Sequence, residues 1–361
     1  MRILHTEASC GWGGQELRIL DEAQGMAARG HEVTIAAPRE SRIYQEAGKR
    51  GLNAVALPIA RKGLGGLLAL RGRLASHPVD VVNTHSSTDT WLAALACATL
   101  ARAPAIVRTR HISAPIPDNL PTRWLYTRAT RHIVTTGEAL RLQLIRDNRY
   151  PAERITSIPT GIDAKRFSPG DRDAARRATG LPPGRTLIGI VATLRSWKGH
   201  LHLLEVFAQL RGEPVLVIVG EGPMRPNIEA RIRELGVGDR VVLAGNQTDV
   251  LPWLRSLDVF ALPSYANEGV PQALVQAMLC GLPCVTTNVG SIGEVARDGE
   301  TAVVVRPNDA ADLRRGLDTL LADSRRAAAI GERARAHCAA HCGVESMLER
   351  MEKVFRDAAA K

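Results

Sequence analysis

This sequence predicts an α/β fold in two domains, on three observations. Short β-rich apolar runs alternate with amphipathic stretches along most of the chain, the pattern of parallel strands joined by right-handed crossover helices. The 361 residues are too many for one ordinary core and suit two. Residues 158–169, IPTGIDAKRFSP, hold two prolines, a glycine and an aspartate, and read as a linker.

In chain order, the first half predicts strands at 2–6, 32–37, 80–84, 105–109 and 132–136, with a helix over 14–29. The second half predicts strands at 187–193, 215–219, 240–244, 259–262, 284–287 and 302–305. From about residue 309 the chain is helical, rich in Ala, Arg and Leu. The expected domains are 1–165 and 166–343, followed by a closing segment, 344–361.

Composition narrows the class. A 45% hydrophobic content with regular alternation marks a globular protein, not a disordered or fibrous one. Six cysteines without framework spacing point to a reducing compartment. Met1-Arg2 runs straight into RILHT without the apolar core of a secretory leader, and the longest apolar run, 91–101, is far short of the ~20 residues that span a bilayer. A cytoplasmic protein without a transmembrane segment is therefore expected.

The net charge of +10 is uneven. Residues 1–165 carry 22 Lys+Arg against 14 Asp+Glu, and residues 166–361 carry 25 against 23. The basic first half suits either an anionic partner surface, with peripheral contact at the inner face of the plasma membrane, or a solvated Arg-rich surface. Nucleic acid is the weaker partner: the chain is 4% aromatic and shows no basic run interleaved with stacking rings.

The densest chemistry lies in 263–305, PSYANEGVPQALVQAMLCGLPCVTTNVGSIGEVARDGETAVVV. Glu268 sits in a Gly/Pro-interrupted turn between an apolar strand and an amphipathic helix, with a second apolar strand following. That order places the turn at the carboxyl edge of a parallel sheet, where open α/β proteins bind ligands. The amides of Gly269 and Val270 are expected to face outward at the helix start, ready for an anion or a sugar hydroxyl. Glu268 would accept hydrogen bonds from vicinal hydroxyls. The combination suits a sugar attached to a phosphate.

Four other positions carry chemistry. Gly11-Trp12-Gly13-Gly14 follows the first strand and opens a helix, so Gly13 and Gly14 let the backbone approach a phosphate or sugar, or else form a simple tight turn. The spacing is not a dinucleotide fingerprint, and the second strand ends without the acid that holds a nicotinamide-cofactor ribose. Lys198, just after the first strand of the second domain, would neutralise a diphosphate as charge develops on a leaving nucleotide. His111 and His85 both stand at strand ends, where a lone histidine is either a ligand contact or a satisfied structural residue, the second reading being the better one for His85. Metal sites are not expected: Cys280 and Cys284 and the 337–342 His/Cys run have helical spacing, and Asp171 and Asp173 form a D-x-D that reads as a charged helix start.

The pattern E-G-x-P-x-x-L-x-[EQ]-A-M-x-x-G-x-P-x-V at 268–285 resembles the signature of family-4 retaining glycosyltransferases of the GT-B fold. GWGGQE, IPTGIDAKRFSP, WKGH at 197–200, VGEGP at 219–223 and DVFALPS at 258–264 fall in the same family order. The resemblance covers residues 2–320 or so. It implies two facing Rossmann-like domains with a deep cleft, and a last helix, about 344–356, that crosses back onto the first domain. It further implies a nucleotide-sugar donor, with no separate cofactor, contacted by Gly13, Gly14, Gly245, Gly269, Val270, Pro271 and Gln276. Glu268, Lys198, Arg195 and His111 would carry the catalytic contacts, His111 touching the transferred sugar.

Two positions depart from the family pattern. An Arg usually stands five residues before the Lys, where this chain has Thr193, and Arg195 is the expected substitute. A Glu usually stands eight residues after Glu268, where this chain has Gln276, which keeps a carbonyl acceptor for a ribose hydroxyl. The implied activity is sugar transfer to a glycan or lipid-linked acceptor in lipopolysaccharide or cell-envelope polysaccharide synthesis. A nucleotide-sugar epimerase of the same fold, or a non-catalytic nucleotide-sugar-binding scaffold, are the alternatives.

Overall fold

The computed structural model describes residues 1–360, which divide into two compact units. The first comprises Met1–Gly161 and the terminal segment from Val344; the second is Ile162–Gly343. The sequence-based boundary at 165/166 is thus four residues late. The reason is that Ile162 already belongs to the second unit, where its N–H donates to the Cys342 carbonyl at 2.8 Å and Phe167 is buried in the apolar core.

The first unit is built on a seven-stranded sheet: β1 (Arg2–Thr6), β2 (Glu32–Ala37), β3 (Asn53–Ala56), β4 (Val81–Thr84), β5 (Ala105–Arg110), β6 (His132–Thr135) and β7 (Ile155–Ser157). Their order is β3-β2-β1-β4-β5-β6-β7, and every pairing is parallel. β3 and β7 are the strands that the periodicity did not announce. They are the two edges of the sheet, only four and three residues long, too short to show a period.

The second unit holds six parallel strands: β8 (Leu187–Val191), β9 (Val215–Val219), β10 (Val241–Gly245), β11 (Val259–Leu262), β12 (Cys284–Thr286) and β13 (Val303–Val304). Their order is β10-β9-β8-β11-β12-β13. LIGIV of β8 and VLVIV of β9 are buried throughout, the unbroken apolar run expected of a strand covered on both faces. Among the described residues no helix is long and apolar enough to cross a membrane.

The terminal helix, Val344–Ala359, completes the first unit. Met347, Leu348, Met351, Val354, Phe355 and Ala358 form one buried stripe packed against Ile3, Leu20, Val81 and Val107. Arg29 pairs with Glu345 and Glu352 at the rim. Deeper, the fully buried Arg18 of the helix Gly14–Ala28 donates to the Ile158 carbonyl at 2.7 Å and to Met351 Sδ at 3.7 Å. Its charge is balanced by Glu22, 3.5 Å away, which also accepts from Asn83 of β4. One guanidinium therefore ties the first helix, the segment leaving β7 and the returning helix together.

Removing one partner of such a buried pair strands the other charge. Arg18→Met should therefore lower the unfolding free energy by about 3–5 kcal/mol. In Arg18→Met/Glu22→Leu most of that loss should return. Denaturant unfolding of both variants checks this, and equal losses in the two would show that packing alone, not charge balance, sets the cost.

Candidate active site

Each sheet reverses its winding direction once. In the second unit the reversal lies between β8 and β11, and the loops that leave their carboxyl ends diverge there. Lys198 comes from the loop after β8 and Glu268 from the loop after β11. The structure brings them together: Lys198 Nζ lies 2.6 and 2.9 Å from the two carboxylate oxygens of Glu268. The Glu268 side chain is 5% exposed and that of Lys198 19%. A buried carboxylate gripped by one partly open ammonium keeps acceptor capacity on one side and positive charge on the other.

Two glycines set that geometry. Gly199, with φ +79°, turns the chain directly after Lys198, and a Cβ there would meet the Pro263 carbonyl oxygen at 2.2 Å. Gly290, with φ +59°, lies against Glu268 itself, where a Cβ would sit 2.0 Å from its carbonyl oxygen. At each place two loops touch through backbone, the Glu268 loop meeting the Lys198 loop at Gly199 and the loop after β12 at Gly290, and a side chain there would push them apart.

The other residues expected on the second unit have the following places. Gln276 is buried in the helix Gln272–Leu279, two turns beyond the Glu268 loop. Gly245 closes β10, its carbonyl accepting from Gly220 at 2.8 Å. Arg195 is exposed and lies over the Trp197 ring at 5.8 Å, apart from the Lys198–Glu268 pair, while Thr193 is half-buried in the same turn. The expectation for Gly269 and Val270 needs correction. They do not open a helix: the helix starts at Gln272 behind Pro271, and Gly269, Val270 and Pro271 are all buried, Val270 in the apolar core. Asp171 caps the helix Arg172–Thr179, accepting from the amides of Asp173 and Ala174.

In the first unit the reversal lies between β1 and β4. Gly13 is the extended residue before the helix Gly14–Ala28, whose first turn bonds back to its carbonyl. Behind this glycine-rich loop sits Glu7, fully buried, accepting from the Ser9 amide at 2.7 Å and from Gln15. Burial, then the charges of Asp89 and Glu16, push its carboxyl well above the usual range. Asp89 in turn accepts from Thr6 Oγ1 and the His85 and Ser86 amides, all at 2.7–2.8 Å. Sequence reading missed Glu7 and Asp89; the signal was the acid directly after β1, in HTEASCGWGG, which no surface loop requires.

His111, half-buried after β5, is joined to His85, and His85 to His5 of β1. The ring nitrogens are 3.0 Å apart in the first contact and 3.1 Å in the second. His85 is thus buried and bonded on both sides, as its structural reading expects, and it is tied to His111. Burial first, then nearby positive charge, holds His5 down to about 3. For His85 burial, then His111, and for His111 burial, then Arg18, act in the same direction.

The chain is similar to known proteins in sequence and in fold. Residues 12–166 fit the family described as Glycosyltransferase Family 4 and residues 171–337 the one described as Glycosyl transferases group 1. The D-inositol 3-phosphate glycosyltransferase of Nocardia farcinica is 32% identical over 237 residues, 62% of this chain and 52% of that protein. Its Mycobacterium marinum counterpart is 29% identical over 344 residues, 86% of this chain and 73% of that protein. The chain thus spans about half the length of the first of these relatives. Anabaena HepE, solved in complex with UDP-glucose, superposes with a TM-score of 0.87 at 20% identity, covering 99% of this chain and 100% of HepE. The fold is GT-B, and the chain belongs to the family-4, group 1 glycosyltransferases.

Gly290→Ala should displace the Glu268 loop and cost about 1–3 kcal/mol of stability. Gly293→Ala, three residues on and facing open space, is the control and should be near neutral. Thermal unfolding of the pair decides; equal midpoints would mean the loop moves aside freely.

The histidine row also sets a pH dependence. Unfolded, each ring titrates near 6.5, while the folded row refuses protons at that pH. Below 6.5 the unfolded state therefore binds more protons and the row's contribution to stability falls. Glu7 acts with the opposite sign, so the test is a difference. The stability gap between the wild type and His85→Asn should shrink by roughly 1.4 kcal/mol per pH unit from pH 6.5 toward 5. A gap that stays flat would mean that His85 titrates normally in the fold.

Proposed function

We propose that this chain is a retaining, metal-independent glycosyltransferase that moves a sugar from a nucleoside-diphosphate donor to a glycan or lipid-linked acceptor of the cell envelope. The observation that carries the reading is the Lys198–Glu268 pair at the reversal point of the second sheet. Glu268 accepts hydrogen bonds from the hydroxyls of the transferred sugar, Gln276 holds the ribose, and Lys198, with Arg195 swinging off Trp197, neutralises the departing diphosphate. The bond from the sugar's anomeric carbon to the phosphate oxygen breaks, its electron pair leaving on the diphosphate. The acceptor hydroxyl attacks the same face, and its proton passes to that phosphate oxygen. Orientation and charge stabilisation supply the rate. UDP-glucose in the HepE complex supports a nucleotide-sugar donor.

For the acceptor the first unit offers a cavity of about 440 Å³ at the ends of β4 and β5. Among the described residues that line it, the ionised side chains are Lys62, Arg108 and Arg110, with Trp91 and Tyr126 as apolar walls. Arg108 lies in the field of the buried Asp89, whereas Arg110 is held by Tyr126 Oη and the Ile112 and Ala114 carbonyls and has no carboxylate partner among the described residues. Such a lining favours an acceptor bearing a phosphate or other acid, as the relatives' inositol 3-phosphate does. Leu120 and Trp124 stand exposed beside Arg123 and Arg128 on the same unit, an apolar and basic surface that suits peripheral contact with an anionic membrane.

Donor titration in the presence of chelator tests the whole reading. Glu268→Ala should lower turnover about a hundredfold or more while free nucleotide still binds. Gln276→Ala should mainly weaken donor affinity, by about tenfold at most. Full turnover in Glu268→Ala, or activity that returns only with Mn²⁺ or Mg²⁺, would overturn the assignment.

A further inference from the structure

The histidine row in the first unit has a property that its position alone does not explain. His5, His85 and His111 come from the ends of three adjacent strands, β1, β4 and β5, and their rings are tilted by only 20° and 33° between neighbours. Two hydrogen bonds link three rings: His5 Nδ1 with His85 Nε2, and His85 Nδ1 with His111 Nε2. A neutral imidazole has one N–H and one bare nitrogen. Both bonds can form together only if all three rings point the same way.

Two directions satisfy that condition. If the row donates inward, His111 Nε2–H gives to His85, His85 Nε2–H gives to His5, and His5 must carry its proton on Nε2. If it donates outward, His5 Nδ1–H gives to His85, His85 Nδ1–H gives to His111, and His111 carries its proton on Nδ1. The ends of the row decide. His5 is fully buried, and its Nε2 has no hydrogen-bond partner. On the side away from His85 the charge acting on it is the Arg18 guanidinium, and the Phe355 ring of the terminal helix lies edge-on at 6.2 Å. A positive charge in a dry interior disfavours an N–H directed into it and favours a lone pair. An orphaned buried N–H is also the rarer and costlier defect. At the other end Arg18, Arg108 and Arg110 pull the opposite way on His111, but that ring is half-buried and lines the 440 Å³ cavity, where a ligand or solvent can satisfy its outer nitrogen, so the orphaned inner nitrogen decides.

We propose that His5 and His85 are positioning residues that lock His111 in the Nδ1–H tautomer, so that His111 meets its ligand as a hydrogen-bond donor and not as a base. The row is set from inside the core: β1 supplies the proton donor, and Arg18 and the terminal helix shape the dry end against which it is oriented. The recognised group on the ligand is then an oxygen lone pair, of a sugar hydroxyl, a carbonyl or a phosphate. The tautomer itself holds whether or not the sugar-transfer reading does; its effect on turnover rests on that reading.

The test is a long-range ¹H–¹⁵N correlation spectrum of the full-length protein selectively labelled in histidine, with signals assigned by His111→Gln and His85→Asn. For His111 the wild type should show a protonated Nδ1 and a bare Nε2, unchanged between pH 6 and 8. A protonated Nε2 on His111, or a His111 that titrates in that window, would overturn the proposal without touching the Lys198–Glu268 reading. In His5→Phe, which removes the inner donor and keeps the volume apolar, His111 should shift to a mixture of tautomers. Turnover should fall severalfold at unchanged donor affinity. An intact Nδ1–H signature in His5→Phe would show that the inner ring does not set the tautomer. If His5→Phe fails to fold, the wild-type spectrum still decides.

Discussion

The constraint on which everything else here depends is the single reversal of strand order in each parallel sheet. Strands wound outward in opposite directions leave two neighbouring loops with nothing between them, at β1/β4 in one unit and at β8/β11 in the other. The fold thereby concentrates its polar side chains at two places. Lys198 and Glu268 come from one pair of diverging loops; the glycine-rich turn, Asp89 and His85 come from the other. Burial of continuous apolar strands elsewhere leaves few other positions where a charged group could be held without a large desolvation cost.

The two places differ in electrostatic character. In the second unit one cation and one carboxylate form a short, direct pair with an open side. The first unit instead carries a dense interior of titratable groups: Arg18 with Glu22, Arg108 with Asp89, Glu7, and three neutral histidines. Buried charges of this kind contribute little net stability, because pairing roughly offsets desolvation. Their effect is on geometry, since each group has few arrangements in which all its bonds are made.

Much of this was legible in the sequence, and the boundary of what was legible has a physical basis. Glu268 and Lys198 could be placed because each sits in a local strand–turn–helix pattern, and the apolar core of the second unit because its strands are unbroken runs. His5 and Arg18 could not, since nothing in their immediate neighbours distinguishes a buried polar residue from a surface one. Their partners are distant in sequence: His5 meets His85 across 80 residues and Arg18 meets Met351 across 333. The edge strands β3 and β7 escaped for another reason, being too short to show a period. The helix start expected at Gly269 and Val270 lies instead at Gln272, behind Pro271, so a start read from composition can be a turn away from the one the backbone adopts.

The return of the helix Val344–Ala359 has a consequence for how the protein is made. The core of the first unit includes Met347, Leu348, Met351 and Phe355, which the ribosome adds only after all of Ile162–Gly343 has been synthesised. The second unit is contiguous and has its whole core in hand by then. Chains usually mature from the amino terminus onward. This one must finish in the reverse order, its first-made half waiting with Ile3, Leu20, Val81 and Val107 uncovered until the final helix arrives. The interval is when a nascent chain of this design most needs a chaperone, and it lengthens with anything that slows translation through the second unit.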